Sequence, residues 1–441
     1  AETGGTGGAG GSSGAAGSGG TGGSDATVCN GDCVYIRAGA NGDGSDWAEA
    51  RSQLPATLQR GFTYLIAGGS YPSYTFDDAA AGQQVITIKK ATALDHGTDT
   101  GWQSSYGTEK AVFGPLSVTR PYFVIDGGPG RGLIARTSSG TSAAVSIRTN
   151  DMILRRVEVD GAFKVDSKGE HLSGSCNALT VRDGTNVRIE QCDVHDAADD
   201  GIVINTCTNC TVRDSHIHHL HGCGTDASCV GACYNGHSDG FELYAMKDSV
   251  IEGNIVHHVK QTSALFFPQP GGTENLTIRN NIFYAPDTGL VAYLQRAKGL
   301  YVYHNVFWGK RKGNYGGLAI GPDLSDLHLY NNIILSINLS HAGTVYDASK
   351  YRGDYNLLGV DIGQFPKGAH DIVAADPMFT AIPDMNGDMV ANPTILDFLP
   401  KPGSPAINKA WVGNGTHVMP TLDMLGNPRV GSPDIGPLER Q

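Results

Sequence analysis

The sequence has few charges and none of them are concentrated. Asp, Glu, Lys and Arg make up 17% of 441 residues, the formal net charge is -12, and no run of five basic residues occurs. That excludes a nucleic acid held on a basic surface, while a local basic groove for a polyanionic glycan stays compatible with it. No apolar run is long enough to cross a bilayer. The G-x-S-x-G elbow, the phosphate-binding loop and the dinucleotide fingerprint are all missing, so acyl-transfer and nucleotide chemistry have no support.

What the chain does have is a repeat. Asn254, Asn281, Asn305 and Asn332 recur 27, 24 and 27 residues apart, within the apolar segments IEGNIVHH, IRNNIFYA, VYHNVFWG and LYNNIILS. A unit of that length, built of short β runs and turns, cannot bury its own apolar residues, so successive units must stack into a solenoid. An Asn at a fixed corner can satisfy backbone groups of the next coil while its amide bonds the Asn above, which makes this column scaffold. The expected fold is all-β, a parallel β-helix.

From residue 174 onward the coils align, and alternation assigns the inward pairs. These are Leu179 and Val181, Ile202 and Ile204, Phe241 and Leu243, Leu265 and Phe267, Leu290 and Ala292, and Leu318 and Ile320. Thr180, Arg182, Asn205, Glu242, Tyr244, Phe266, Tyr293 and Gln295 then face outward on one sheet. His195, His218 and His257 take equivalent positions, as do His219 and His258, and read as a polar stack at a turn. A transition-metal site from His218, His219 and His221 is the competing reading.

Residues 1–27 are almost entirely Gly, Ser, Thr and Ala, a flexible tether whose composition resembles the spacer of an exported or lipoprotein-anchored bacterial surface protein. Residues 28–441 form a single domain. VYIRAGA (34–40) reads as the first strand, and SDWAEARSQLPATL (45–58) as a helix closing the N-terminal end of the solenoid. The last section, irregular and proline-rich, is its C-terminal cap. Nine cysteines suit an oxidising compartment. Cys29 and Cys33 are expected to close a small loop. The Cys207 to Cys233 cluster is expected to pin the excursion HGCGTDASCVGACYNG, with structural zinc at the CTNC of 207–210 as the alternative. The odd total leaves one thiol unpaired.

The candidate site lies where Asp199, Asp200, His237, Asp239, Glu242, Lys260 and Gln261 fall on one edge of three consecutive coils. Asp200 and Asp239 each precede a glycine, and stacking sets them in adjacent rungs, about 4.8 Å apart. Like charges that close need an offsetting cation, and Asp199, Asp200 and Asp239 make a plausible Ca²⁺ shell. Asp-Gly is also a common turn pair, which is the bland reading. Tyr244, Phe266 and Tyr293 can stack on sugar rings, and Arg182, Arg296 and Lys298 can pair with uronate groups. The expected partner is an acidic polysaccharide, bound by a monomer.

The coil pattern, the opening VYIRAGANGDG, the segment SPAINKA and the ending DMLGNPRVGSPDIGPLE resemble secreted right-handed parallel β-helix proteins of the pectate-lyase-like superfamily, over residues 34–439. Within it the site is similar to family-9 polysaccharide lyases. That resemblance implies Ca²⁺ on Asp199, Asp200 and Asp239, and Lys260 as the base that removes the C5 proton of a uronate in β-elimination. The 39-residue step from Asp200 to Asp239 and the presence of His237 depart from the pattern. DDG and GHSDG resemble, more loosely, the acidic elements of family-28 hydrolases, which would make two of Asp199, Asp200, Asp239 and Glu242 an acid and base pair. An epimerase using His237 and Lys260, with Tyr244 as partner, and a glycan-binding module without catalysis complete the alternatives.

Overall fold

The computed structural model describes residues 29, 31–137, 143–165, 171–173, 176–221, 238–268, 270–285, 290–309, 317–321, 323–338, 348–359, 365–382, 392–414 and 417–441. Their strands form three long sheets of 14, 10 and 12 strands. Within these sheets every strand pair is parallel, and each coil contributes one strand to each sheet in turn. Val145–Ile147 belongs to the 10-stranded sheet, Met152–Arg155 to the 14-stranded and Val157–Asp160 to the 12-stranded. The inward residues of all three faces meet in one continuous core that runs from Ile36 to Phe365. The chain is thus a right-handed parallel β-helix, as the repeat requires.

The corner from the 14-stranded to the 12-stranded sheet is one residue wide and left-handed. Gln191, Asp214, Asn280, His304 and Asn331 hold it with φ between 53° and 59°, and Gly253 with φ 67°. The residue after each turns into the core and has no strand partner for its N–H, and here the asparagine column does its work. The backbone N–H of Asn254 donates to Oδ1 of Asn281 at 2.9 Å, and its Nδ2 donates to the same oxygen at 3.0 Å. Asn281 repeats this toward Asn305, Asn305 toward Asn332, and Asn332 toward Asn356. The ladder starts at Cys192, whose N–H meets Ser215 Oγ, passes through Ser215 to Asn254 and ends on Asp371. Each amide also donates to a carbonyl of the coil before it, such as Ile278 O for Asn305.

Three sequence expectations change. Residues 45–58 form bends and turns; the helix found lies at Ser104–Thr108. Residues 42–51 spend their backbone groups on the edge of strand Cys33–Ile36: Tyr35 N–H donates to Gly44 O, and Arg51 N–H to Tyr35 O. A helix would withdraw those bonds, and Trp47 would leave its cluster with Tyr35, Trp102 and Tyr106. In the coil at 290–294 the inward pair is Ala292 and Leu294: Val291 O accepts from both Ala264 and Leu265, and the register lies two residues later with the alternation unchanged. Cys207 and Cys210 form a disulfide with each other, which removes the zinc reading there and takes both out of the set expected to pin the excursion. Cys29–Cys33 is formed as expected, Cys176 is also disulfide-bonded, and among the described residues Cys192 is a free, buried thiol. Cys223, Cys229 and Cys233 lie outside the described residues.

The C-terminal segment does more than close an end. It packs along the outer face of the 12-stranded sheet, where Phe379, Phe398, Ala406, Ile435 and Leu438 cover Ile282, Tyr284, Val306, Trp308 and Ile333. The left-handed corner residues reach out to hold it: Asn280 Nδ2 donates to Leu422 O, Asn331 Nδ2 to Trp411 O, and His304 Nδ1 bonds Gly436 O.

Asn305→Leu would strip Asn281 of the acceptor for two buried donors, and is expected to destabilise by about 2–4 kcal/mol in denaturant titration. Lys247→Ala, whose exposed ammonium lies 3.4 Å from Glu274, is expected to cost less than about 0.5 kcal/mol. Equal effects would remove the ladder from its scaffold role.

Candidate functional site

The corner from the 12-stranded to the 10-stranded sheet carries a second ladder, and this one is charged. Asp200 N–H meets Asn177 Oδ1 at 3.4 Å, Asp239 N–H donates to Asp200 Oδ1 at 2.9 Å, and Ser263 Oγ donates to Asp239 Oδ1 at 2.6 Å. The glycines that follow are set by the core rather than by turn chemistry. A Cβ on Gly201 would lie 2.5 Å from Ile217 Cγ2, and one on Gly240 2.3 Å from Val256 Cγ1. Asp200 and Asp239 are therefore fixed in adjacent coils across the 39-residue step, 1% and 0% exposed.

Glu242, 4% exposed, joins them from the outward face of strand Asp239–Leu243. Burial, and then the charges of Asp199, Asp239 and Glu242, push the Asp200 carboxyl well above the usual carboxylate range. Burial, followed by Glu242, also lifts the Tyr244 hydroxyl to about 12. Four carboxylates and a phenol thus share one water-poor corner. Asp200 accepts a backbone N–H and Asp239 a hydroxyl, bonds that an asparagine oxygen could accept as well. The donor set is all oxygen and strongly anionic, which fits a hard divalent cation such as Ca²⁺.

The cluster opens onto the outer face of the 10-stranded sheet. There Thr180, Val203, Glu242, Phe266 and Tyr293 stand in one register column, with Phe266 and Tyr293 stacked at 5.8 Å. Toward the N-terminal coils the face deepens into a groove of about 620 Å³ that includes Asn177, Thr180, Arg148 and Arg182. Both arginines are exposed.

Asp199, Asp200, Asp239, Glu242 and Tyr244 are thus brought together, with Arg182, Phe266 and Tyr293 along the same face. Lys260 lies one coil on, exposed, its N–H bonded to Leu220 O at 3.1 Å. Arg296 sits in a left-handed turn with its guanidinium 3.8 Å from Asp323. Lys298 belongs to strand Ala297–Tyr303 of the 14-stranded sheet, opposite Glu274 and Ser325, and so on a different face. His237 lies outside the described residues. Sequence reasoning missed Arg148, Asn177 and Ser263. The signal was there: Arg148 follows the inward pair Val145 and Ile147 as Arg182 follows Leu179 and Val181, and Ser263 pairs with Asp239. The histidines stack as read, with His195, His218 and His257 in register and His219 over His258 at 4.8 Å.

Residues 177–334 match the family described as a right handed beta helix region. No curated protein matches the sequence. Among solved structures the chain is similar to pectate lyase Pel9A, at 16% identity over 93% of this chain and 96% of that one, with a TM-score of 0.47. It is similar also to an alginate lyase from Paenibacillus sp. str. FPU-7, at 12% identity over 72% and 91%, TM-score 0.37. A third is the catalytic domain of a GH87 alpha-1,3-glucanase, at 9% identity over 71% and 64%, TM-score 0.33. The right-handed parallel β-helix itself rests on the family match and on the parallel registers of its three sheets.

Proposed function

We propose that this chain is an extracellular polysaccharide lyase that cleaves a uronic-acid-containing glycan by calcium-assisted β-elimination, acting as a monomer. The observation that carries this reading is the charged ladder: Asp200 and Asp239 are buried at one corner, with the charges of Asp199 and Glu242 also acting on Asp200, and gathering like charges there is costly. A cation-binding role accounts for that cost. The adjoining groove supports the substrate class, since Arg148 and Arg182 offer forked donors to uronate carboxylates and Phe266 with Tyr293 offers apolar ring faces. The disulfides Cys29–Cys33 and Cys207–Cys210 support an oxidising, extracytoplasmic setting.

In this reading Asp199, Asp200, Asp239 and Glu242 hold the cation. Bound Ca²⁺ would neutralise the substrate carboxylate and acidify its C5 proton. Lys260 takes that proton, the C5 electron pair forms the C4–C5 double bond, and the C4–oxygen bond to the neighbouring sugar breaks with its electron pair left on that oxygen, which takes a proton from water. Arg148 and Arg182 orient the chain by its other carboxylates, and the aromatic column keeps its rings flat against the sheet. One observation favours a second reading, hydrolysis: with its carboxyl held far above the usual range, Asp200 is suited to donate a proton beside ionised carboxylates.

Incubation with polygalacturonate, alginate and glycosaminoglycans separates the two. Elimination gives absorbance near 235 nm, abolished by EDTA and reduced at least about 100-fold by Asp239→Asn or Lys260→Ala. New reducing ends without that absorbance would establish hydrolysis instead, and neither signal would reject both.

Stability gives an independent readout of the cation. A carboxyl whose folded pKa is raised contributes most below its unfolded value, about 3.9, and that contribution is lost as pH rises through the folded value. In EDTA the wild type is therefore expected to lose melting temperature relative to Asp200→Asn as the pH rises from about 4 to 8, the difference isolating this carboxyl from the other groups that titrate. Millimolar Ca²⁺ should restore roughly 3 °C or more at pH 8 in the wild type, and much less in Asp239→Asn. An equal Ca²⁺ shift in both proteins would place the ion elsewhere.

A further inference from the structure

The outer face of the 12-stranded sheet changes character along the solenoid. One register column runs Glu158, Asp193, His216, Ile255, Ile282 and Val306, and the next runs Asp160, His195, His218, His257, Tyr284 and Trp308. The apolar half of each column lies under the C-terminal segment. The half made of histidines and carboxylates is not accounted for by that cover or by the carboxylate corner described above.

We propose that Asp193, His216 and His218 form a binding site for a divalent transition metal, with zinc the best match to the donors. His216 and His218 are two residues apart on strand His216–Leu220 and so project from the same face, with Asp193 beside them on the preceding coil. Asp193 Oδ1 lies 3.4 Å from His216 Nδ1 and 3.0 Å from His218 Nε2. A tetrahedral zinc with ligand bonds of about 2.0–2.1 Å separates its ligand atoms by about 3.3 Å, so these spacings are edges of such a site. Arg131 takes the other oxygen of Asp193 at 3.6 Å, which leaves Oδ1 turned to the histidine pair. The set of two imidazoles and a carboxylate suits zinc over calcium, and leaves a fourth position for water or a ligand. The nearby group of Asp160, His195 and Asp196 is less suited, because Arg136 Nε already occupies Asp160 at 2.6 Å.

The second observation is what lies behind the two histidines. His216 Nε2 faces His257 Nε2 at 2.5 Å, His257 Nδ1 faces His258 Nδ1 at 2.5 Å, and His218 Nδ1 faces His219 Nδ1 at 2.5 Å. Each contact needs one N–H and one lone pair, so the tautomers along each chain are linked. Without metal, Asp193 Oδ1 accepts N–H from His216 and His218, and the outer rings donate inward. With metal on Nδ1 of His216 and Nε2 of His218, both lose those protons and donate outward to His257 and His219. His257 then donates to His258. Every ligating ring thus has a partner that fixes its tautomer, the arrangement that second-sphere groups supply at metal sites.

The full chain, stripped with EDTA and freed of chelator, tests this by titration with Co²⁺ and then Zn²⁺. One equivalent of Co²⁺ should give the visible ligand-field band of a four-coordinate site, and Zn²⁺ should displace it. His216→Gln and His218→Gln should each weaken Zn²⁺ binding by more than about 100-fold, and His219→Gln by about 10–100-fold. Asp239→Asn, at the calcium corner, should leave the stoichiometry unchanged. Imidazole nitrogen NMR should show Zn²⁺ moving the proton on His258, a ring that touches no metal in this arrangement. The proposal is overturned if the folded wild type takes up no stoichiometric metal, if the double variant of His216 and His218 binds as well as the wild type, or if His258 is unmoved at saturation.

Discussion

At one corner of this solenoid, each asparagine Oδ1 accepts both the backbone N–H and the side-chain N–H of the asparagine in the coil before it. The corner turns in a single left-handed residue, too tight for the next N–H to find a strand partner, and the site is dry. Without an internal acceptor that N–H would cost about 1–3 kcal/mol in every coil. The sharp corner, and with it the angle between two sheets, exists because a carboxamide is placed there. Even the ladder's ends obey the rule: where no further asparagine follows, Asp371 accepts the last N–H, and where the column begins, Ser215 supplies a hydroxyl.

The corner between the 12-stranded and 10-stranded sheets also runs a coil-to-coil ladder, in the reverse sense and with carboxylates, Asp239 N–H donating back to Asp200 Oδ1 of the coil before. Asp200 and Asp239 make the bonds an amide would make, and bring charge into a place where charge is unfavourable. Glu242 and Tyr244 deepen the imbalance from the sheet beside it.

Fold and site were legible in the sequence to different depths. The asparagine spacing and the alternation of Ile202 and Ile204, or Phe241 and Leu243, translate directly into register, because each reports one residue per turn of the coil. The adjacency of Asp200 and Asp239 followed from the same alignment, although 39 residues separate them. What failed to show was anything set by long-range backbone bonds. The glycine before Leu290 suggested a strand that starts two residues too early, where Leu265 in fact pairs with Ala292. Residues 45–58 have helical spacing, yet Arg51 gives its N–H to Tyr35 O and its C=O to Arg37 N–H beside the first strand, and Trp47 N–H goes to Thr100 O. Lys298 looked close to Tyr293 in sequence, but a corner intervenes and turns it onto another sheet. Arg148 was hidden for the opposite reason, since the earlier coils are too irregular to align by eye.

The lateral cover formed by the C-terminal segment bears on how the molecule is made. Its aromatic and aliphatic side chains, Phe379, Phe398, Ile435 and Leu438, leave the ribosome after the strands that carry Tyr284, Trp308 and Ile333. Coils can stack as they emerge, each on the last, but that stripe of sheet stays bare until translation has passed it. During that interval the nascent solenoid presents an apolar wall, the kind of surface on which chaperones act and on which neighbouring chains stick. A solenoid that grows from one end is in this way finished from the side.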